Sequence, residues 1–79
     1  MINYFAEHLK DLLRIKGLSQ KSLAEKLNVQ CSTVNQWVNG KREPEFDLLI
    51  KICIFLNIEP NELLGYNKAK NTLLHSNKE

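Results

Sequence analysis

Ser32, Thr33, Asn35 and Gln36 place two hydroxyls and two carboxamides within one short stretch, and none of the four carries a charge. In a helix over 31–39, at about 100° per residue, Val34, Trp37 and Val38 fall on one side and Ser32 and Gln36 on the opposite one. Thr33, Asn35 and Asn39 flank that outward direction, and Cys31 lies at its border. Such groups donate and accept hydrogen bonds without titrating, and they match the edges of base pairs. Gln and Asn can bond adenine through two hydrogen bonds, and Thr can also pack on the thymine methyl. A solvated polar face has the same composition, so the residues alone leave both readings open. Just beyond the helix, Gly40 is followed by Lys41 and Arg42. A turn with exposed N–H groups beside two cations suits a phosphate backbone, or forms a charged surface loop.

The chemistry of catalysis finds no support. No His and acid pair stands near a nucleophile, no Gly-rich loop is present to cradle phosphates, and no His/Cys/acid spacing suits a metal. The reading is therefore of a protein that is not an enzyme, with no catalytic residues, cofactor, metal or small-molecule ligand. His8, among apolar positions and far from other ligand types, reads as a solvated surface histidine. A thiol at a helix N-terminus, as at Cys31, can acquire a lowered pKa and act as a redox sensor; its place at the border of the buried side favours packing instead.

The elements that must hold the polar face are short helices. Leu23, Ala24 and Leu27 recur at helical spacing before Asn28, and Val34, Trp37 and Val38 recur after it. Asn28 is the pivot, because Asn is the best non-glycine residue for the left-handed conformation that stops a helix. Ala24 lets the two helices cross closely. Ser19 caps the first of them, Leu18 can staple onto Leu23, and Gln20 becomes the first helical residue. Its backbone N–H and amide then sit at the positive helix end, where a phosphate is readily held. Gln30 is a poor cap for the second helix, whose start should be less firmly held.

In the order Leu18, Ser19, Gln20, Leu23, Ala24, Leu27, Val29, Ser32, Thr33, Val34, Trp37, Gly40, and on through Pro44 to Leu64, the sequence resembles the phage repressor and Cro family of helix-turn-helix proteins. The resemblance covers about four fifths of the chain and is far more specific than a short motif. It implies an all-α, compact five-helix, lambda-repressor-like DNA-binding domain over 1–66, with its motif at 20–39. It also implies DNA base readout by Cys31, Ser32, Thr33, Asn35 and Gln36, and phosphate contact by Gln20, Lys21, Asn39, Lys41 and Arg42. The partner is then double-stranded DNA, bound by a homodimer whose contact is expected at Leu63, Leu64 and Tyr66. The competing function is a protein-interaction module, such as an antitoxin built on the same fold. Where the family often pairs an Arg with a Glu, this chain has Leu13 and Val38, so a hydrophobic contact should replace an ion pair and avoid its desolvation cost.

The remaining segments read as scaffold. A first helix capped by Asn3 carries Phe5, Leu9, Leu12 and Leu13 on one stripe and stops at Gly17. From Phe46 to Leu56 the chain is apolar nearly all round. Phe46, Leu49, Ile50, Cys53 and Leu56 are assigned to the core; Leu48, Ile52 and Phe55 form a second stripe, covered by neighbouring helices if this helix is central or by a partner chain if it is not. Pro60 begins a short last helix that Gly65 ends. The tail, 67–79, rich in Asn and Lys, is expected to be flexible.

The chain has 79 residues, 43% of them hydrophobic, and a net charge of +2. That length suits one domain and no second, ligand-sensing one, and a chain this short buries only about 60% of its unfolded surface. No run approaches the roughly 20 apolar residues of a membrane span, and the N-terminus lacks the pattern of a signal peptide. Two cysteines outside any ligand spacing suit a reduced, cytoplasmic protein. Residues 1–44 hold seven basic side chains against four acidic, and residues 45–66 one against four. A basic half joined to an acidic half suits one face for a polyanion and another for something else.

Overall fold

The computed structural model describes residues 4–64 and 70–74. Five helices follow one another: α1 Tyr4–Ile15, α2 Gln20–Leu27, α3 Cys31–Val38, α4 Phe46–Leu56 and α5 Pro60–Leu64. Residues 70–74, expected to be flexible, are helical and exposed. Asn3, Gly65 and Tyr66, which carry parts of the expected capping and dimer contact, lie outside the described residues.

Helix α1 packs on α3 and α5, α2 on α3 and α4, and α4 on α5. The enclosed core is made by Phe5, Leu9, Leu13, Leu23, Ala24, Leu27, Val34, Trp37, Val38, Ile52, Cys53, Leu56 and Leu63. Leu13 and Val38 are both inside it, as expected for an apolar replacement of the ion pair. No charged or polar side chain is buried among the described residues, so the core incurs no penalty for desolvating charge. Burial, followed by the nearby Glu59 and Glu62, pushes the Cys53 thiol above its ordinary range.

Four helices end in the same way. Gly17, Asn28, Gly40 and Asn57 all have positive φ. At each, the N–H of the following residue reaches back five positions: Leu18 to Leu13, Val29 to Ala24, Lys41 to Gln36 and Ile58 to Cys53. This is the Schellman arrangement, which satisfies carbonyls left over at a helix end. Leu18, Val29 and Ile58 then turn into the core. Lys41 stands in the equivalent place after α3 and is exposed.

Helix α4 departs from the expectation. Ile52 is fully buried, while Phe46 is 75% exposed, Ile50 45% and Ile54 72%. The helix is therefore not central. It rests on α2 and α5 through Ile52, Cys53 and Leu56, with Leu48, Leu49 and Phe55 half-buried. A helix apolar in nearly every direction offers no periodicity that selects one side. Leu63 is also corrected: at 0% exposure it is locked in its own chain's core, so of the expected dimer contact only Leu64 faces outward among the described residues. His8 is likewise not simply solvated. Half-buried, it lies edge-on to Tyr4, and its Nδ1 is 3.0 Å from the Glu62 main-chain oxygen. Since a carbonyl only accepts, Nδ1–H donates and ties α1 to α5.

Candidate nucleic-acid interface

Two helices and one loop position the polar residues singled out in the sequence. Helix α2 starts at Gln20 because Ser19 is in extended conformation and its Oγ accepts the Ser22 N–H at 3.0 Å. Ser22 Oγ in turn accepts the Ser19 N–H at 3.1 Å. This reciprocal capping box fixes where the positive helix end lies. Asn28, at φ 59° and ψ 45°, then reverses the chain into α3. Gln30 precedes α3 in extended conformation and makes no side-chain capping bond, as its chemistry implied; its Oε1 instead accepts from Ser32 Oγ at 3.4 Å.

Val34, Trp37 and Val38 are the buried side of α3. Ser32 and Asn35 are exposed on the other side, and Thr33 and Gln36 are half-buried; Cys31, at the border of the buried side, is exposed at the start of the helix rather than packed as expected. All five residues expected to read bases are therefore accessible on one helix, although Gln36 is less prominent than simple projection suggested. Lys21, Asn39, Lys41 and Arg42 are exposed and Gln20 is half-buried. Exposed cations thus stand at the start of α2 (Lys21) and just after α3 (Lys41 and Arg42).

Three carboxamides in this region are joined, which the sequence reading missed. Asn39 Nδ2 donates to the Asn35 main-chain oxygen at 2.9 Å and to Asn35 Oδ1 at 3.1 Å, and Asn35 Nδ2 donates to Gln20 Oε1 at 3.3 Å. The polarity of the whole row follows from its first bond. A main-chain carbonyl can only accept, so Asn39 must present its NH2; its partner on the Asn35 side chain must then be oxygen, and Asn35 is left to offer its NH2 to the Gln20 oxygen. Gln20 therefore ends the row with a free NH2. Asn39, expected to touch phosphate, has turned its amide onto Asn35 and is placed as a brace. The i, i+4 spacing of Asn35 and Asn39 was visible as a helical neighbour pair. The link from α3 to Gln20 depends on the angle between helices, which no local pattern specifies.

An open, mainly polar recess between α1 and the end of α3 is lined by Glu7, Lys10 and Asp11 together with Asn39 and Gly40. Among the described residues there is no cluster of His, Cys, Asp or Glu able to hold a metal, and no helix long and apolar enough to cross a membrane.

A family model described as Helix-turn-helix matches residues 9–63. The HTH-type transcriptional regulator ImmR of Bacillus subtilis (strain 168) is 32% identical over 63 residues, covering 80% of this chain and 50% of that protein. The uncharacterized HTH-type transcriptional regulator YqaE of the same organism is 31% identical over 77 residues, covering 87% of this chain and 66% of that protein. The chain thus spans about half to two thirds of the length of these curated relatives. Among solved structures, the restriction-modification controller protein C.AhdI from Aeromonas hydrophila superposes with a TM-score of 0.71 at 34% identity, covering 77% of this chain and 92% of that one. A transcriptional regulator from Listeria innocua gives a TM-score of 0.74 at 33% identity, covering 95% and 77%. A match over most of the chain, agreement in fold and relatives above 30% identity lead to one assignment: the chain belongs to the helix-turn-helix family of Cro/C1 type, together with these transcriptional regulators.

Proposed function

We propose that this chain is a cytoplasmic, sequence-specific DNA-binding repressor that inserts α3 into the major groove and binds an inverted-repeat operator as a homodimer. The observation that carries the reading is the accessible face of α3, uncharged and rich in hydrogen-bonding groups, with the exposed cations Lys21, Lys41 and Arg42 before and after it in the chain. Uncharged donors and acceptors discriminate between bases, whereas cations neutralise phosphates whatever the sequence. On this reading Ser32, Thr33, Asn35 and Gln36 contact base edges, with Cys31 at the rim. Gln20 gives its outward NH2 to a phosphate at the α2 N-terminus, Lys21, Lys41 and Arg42 add charge, and Asn39 steadies Asn35. One short helix reads only a few base pairs, so two-fold symmetry is needed to define a site of useful length. A domain docked over a promoter represses by occupying it.

The test is selection from random duplex DNA followed by titration of the enriched site over a range of salt. The reading expects an inverted repeat, bound at least about 10³-fold more tightly than random duplex, and affinity that falls steeply with salt. Absence of any enriched sequence, with weak binding indifferent to salt, would reject it.

A further inference from the structure

Where α2 packs against α4, a recess of about 200 Å³ remains, lined by Lys26, Leu27, Lys51, Ile54 and Phe55. Its apolar lining comes from Leu27, which is buried, Phe55, half-buried, and Ile54, 72% exposed. Its polar lining is two exposed lysines, one from each helix. Lys26 Nζ lies 5.9 Å from the centre of the Phe55 ring, a contact of modest strength when it is open to water. Glu25 adjoins Lys26 in sequence and Asp47 stands one turn before Lys51, yet among the described residues neither lysine takes part in an ion pair. The two ammonium groups are far apart in the chain, and only the packing of α2 on α4 brings them to one place.

An inorganic anion would meet the lysines and leave the apolar lining wet. A neutral hydrocarbon would cover the lining and leave the lysines without a partner. A ligand that joins an apolar end to a negative one satisfies both. Apolar cavities of roughly 150 Å³ accept a benzene ring, so the recess has room for one phenyl ring or a short alkyl chain. We infer that the crevice between α2 and α4 is a binding site for a small hydrophobic carboxylate, whose apolar end enters the recess and whose carboxylate pairs with Lys26 and Lys51. The apolar walls lower the local dielectric, which strengthens such a pair beyond its value on an open surface. The placement favours a small ligand over a protein partner. At 100° per residue Lys51 and Phe55 fall on the flank of α4 that faces α2, whereas the exposed Phe46 and Ile50 fall on the other flank. A protein seated on the exposed apolar surface of α4 would have to span both flanks; a small carboxylate needs only one. Because both helices line the site, its occupant ties α2 to α4 and stabilises the fold by mass action. The site is independent of the DNA reading, since it uses neither the α2 N-terminus nor the outward face of α3.

The probes are 4-phenylbutyrate and 4-phenylbutyramide, which share an apolar end and differ in charge, with inorganic phosphate as the anion that lacks one. Each is titrated into the full chain at fixed salt while backbone amide resonances are followed, and thermal melts monitor folding. Phenylbutyrate should saturate with a Kd below about 1 mM, in the range open to a ligand of this size, with shifts centred on Lys26, Leu27, Lys51, Ile54 and Phe55. The amide should bind at least about tenfold more weakly, and phosphate should not saturate. Replacing both lysines, Lys26→Gln with Lys51→Gln, should reduce phenylbutyrate to the affinity of the amide. Ile54→Asp should abolish binding of both aromatic probes, and Phe46→Ala, on the other flank, should bind as wild type does. The lysine variant alters two exposed positions, so it decides the matter even if Ile54→Asp melts early. Equal binding of acid and amide, undiminished binding by the lysine variant, or loss in Phe46→Ala as large as in Ile54→Asp would overturn the site. So would shifts that grow without saturation up to about 10 mM, since they would mean adhesion to exposed apolar surface rather than occupation of a recess.

Discussion

Gln20 is the residue at which donor polarity can be tested directly. Gln20→Glu keeps an oxygen for the Asn35 Nδ2, 3.3 Å away, and replaces the outward NH2 by a second carboxylate oxygen. If that NH2 donates to phosphate, the substitution removes a hydrogen bond to a charged group, about 1.5–3 kcal/mol. It also brings two negative charges to about 4 Å, which adds about 1 kcal/mol in water and about 4 kcal/mol at the higher field of a protein surface. Gln20→Ala removes the bond without the repulsion. The expected order is thus wild type, then Ala weaker by roughly 10–100-fold, then Glu weaker again by at least about fivefold. Asn35→Ala leaves the Gln20 amide intact but unanchored and should cost about 0.5–1.5 kcal/mol from the need to order it on binding, apart from any base contact of its own. Fluorescence anisotropy with random duplex at fixed salt isolates the phosphate contribution. Equal binding by the Ala and Glu variants would refute the reasoning, because it would mean that no phosphate approaches the end of the amide row.

Gln36→Ala should lose about 1–3 kcal/mol on the selected operator and little on random duplex, measured by the same titration. Removing Lys41 or Arg42 should weaken binding to every duplex and reduce the slope of log affinity against log salt by about one unit per lost contact. Gln30→Ser should stabilise the domain by about 0.5–1 kcal/mol in urea denaturation, because α3 lacks a side-chain cap and Ser supplies one. Burial holds the Cys53 thiol protonated in the folded chain, so the unfolded chain releases its proton first as pH rises. Stability should therefore fall above the ordinary thiol range, and this alkaline loss should be absent from Cys53→Ala, whose stability at neutral pH provides its own baseline.

The start of α2 and the turn before α3 were legible because single residues determine them. Ser19 and Asn28 act through local chemistry, and both take the expected conformations. The inward side of α3 was legible for a different reason: only Val34, Trp37 and Val38 are apolar there, so the helical period has one solution. Helix α4 has several. With Phe46, Leu48, Leu49, Ile50, Ile52, Cys53, Ile54, Phe55 and Leu56 all able to face a core, the choice belongs to the packing of α2 and α5, which is not a local property. The same limit hid the amide row and the tie from His8 to Glu62, which span 15 and 54 residues. Periodicity names a face; it does not say which other segment lies across from it.

The shared form of the helix endings has a mechanical consequence. Because Asn28 closes α2 with two backbone bonds and Gln30 is already the N-cap of α3, the angle of α3 hangs on the dihedrals of about two residues. Helix α3 has eight residues and is thus a lever of roughly 12 Å. An error of about 10° at its base moves its far end by about 2 Å, several times the roughly 0.5 Å tolerance of a binding constellation. A substitution at Asn28 that leaves the core melting as before could therefore abolish recognition by aim alone: the turn works as a sight as much as a hinge, and the amide row from Gln20 to Asn39 is the stay that keeps the barrel from swinging.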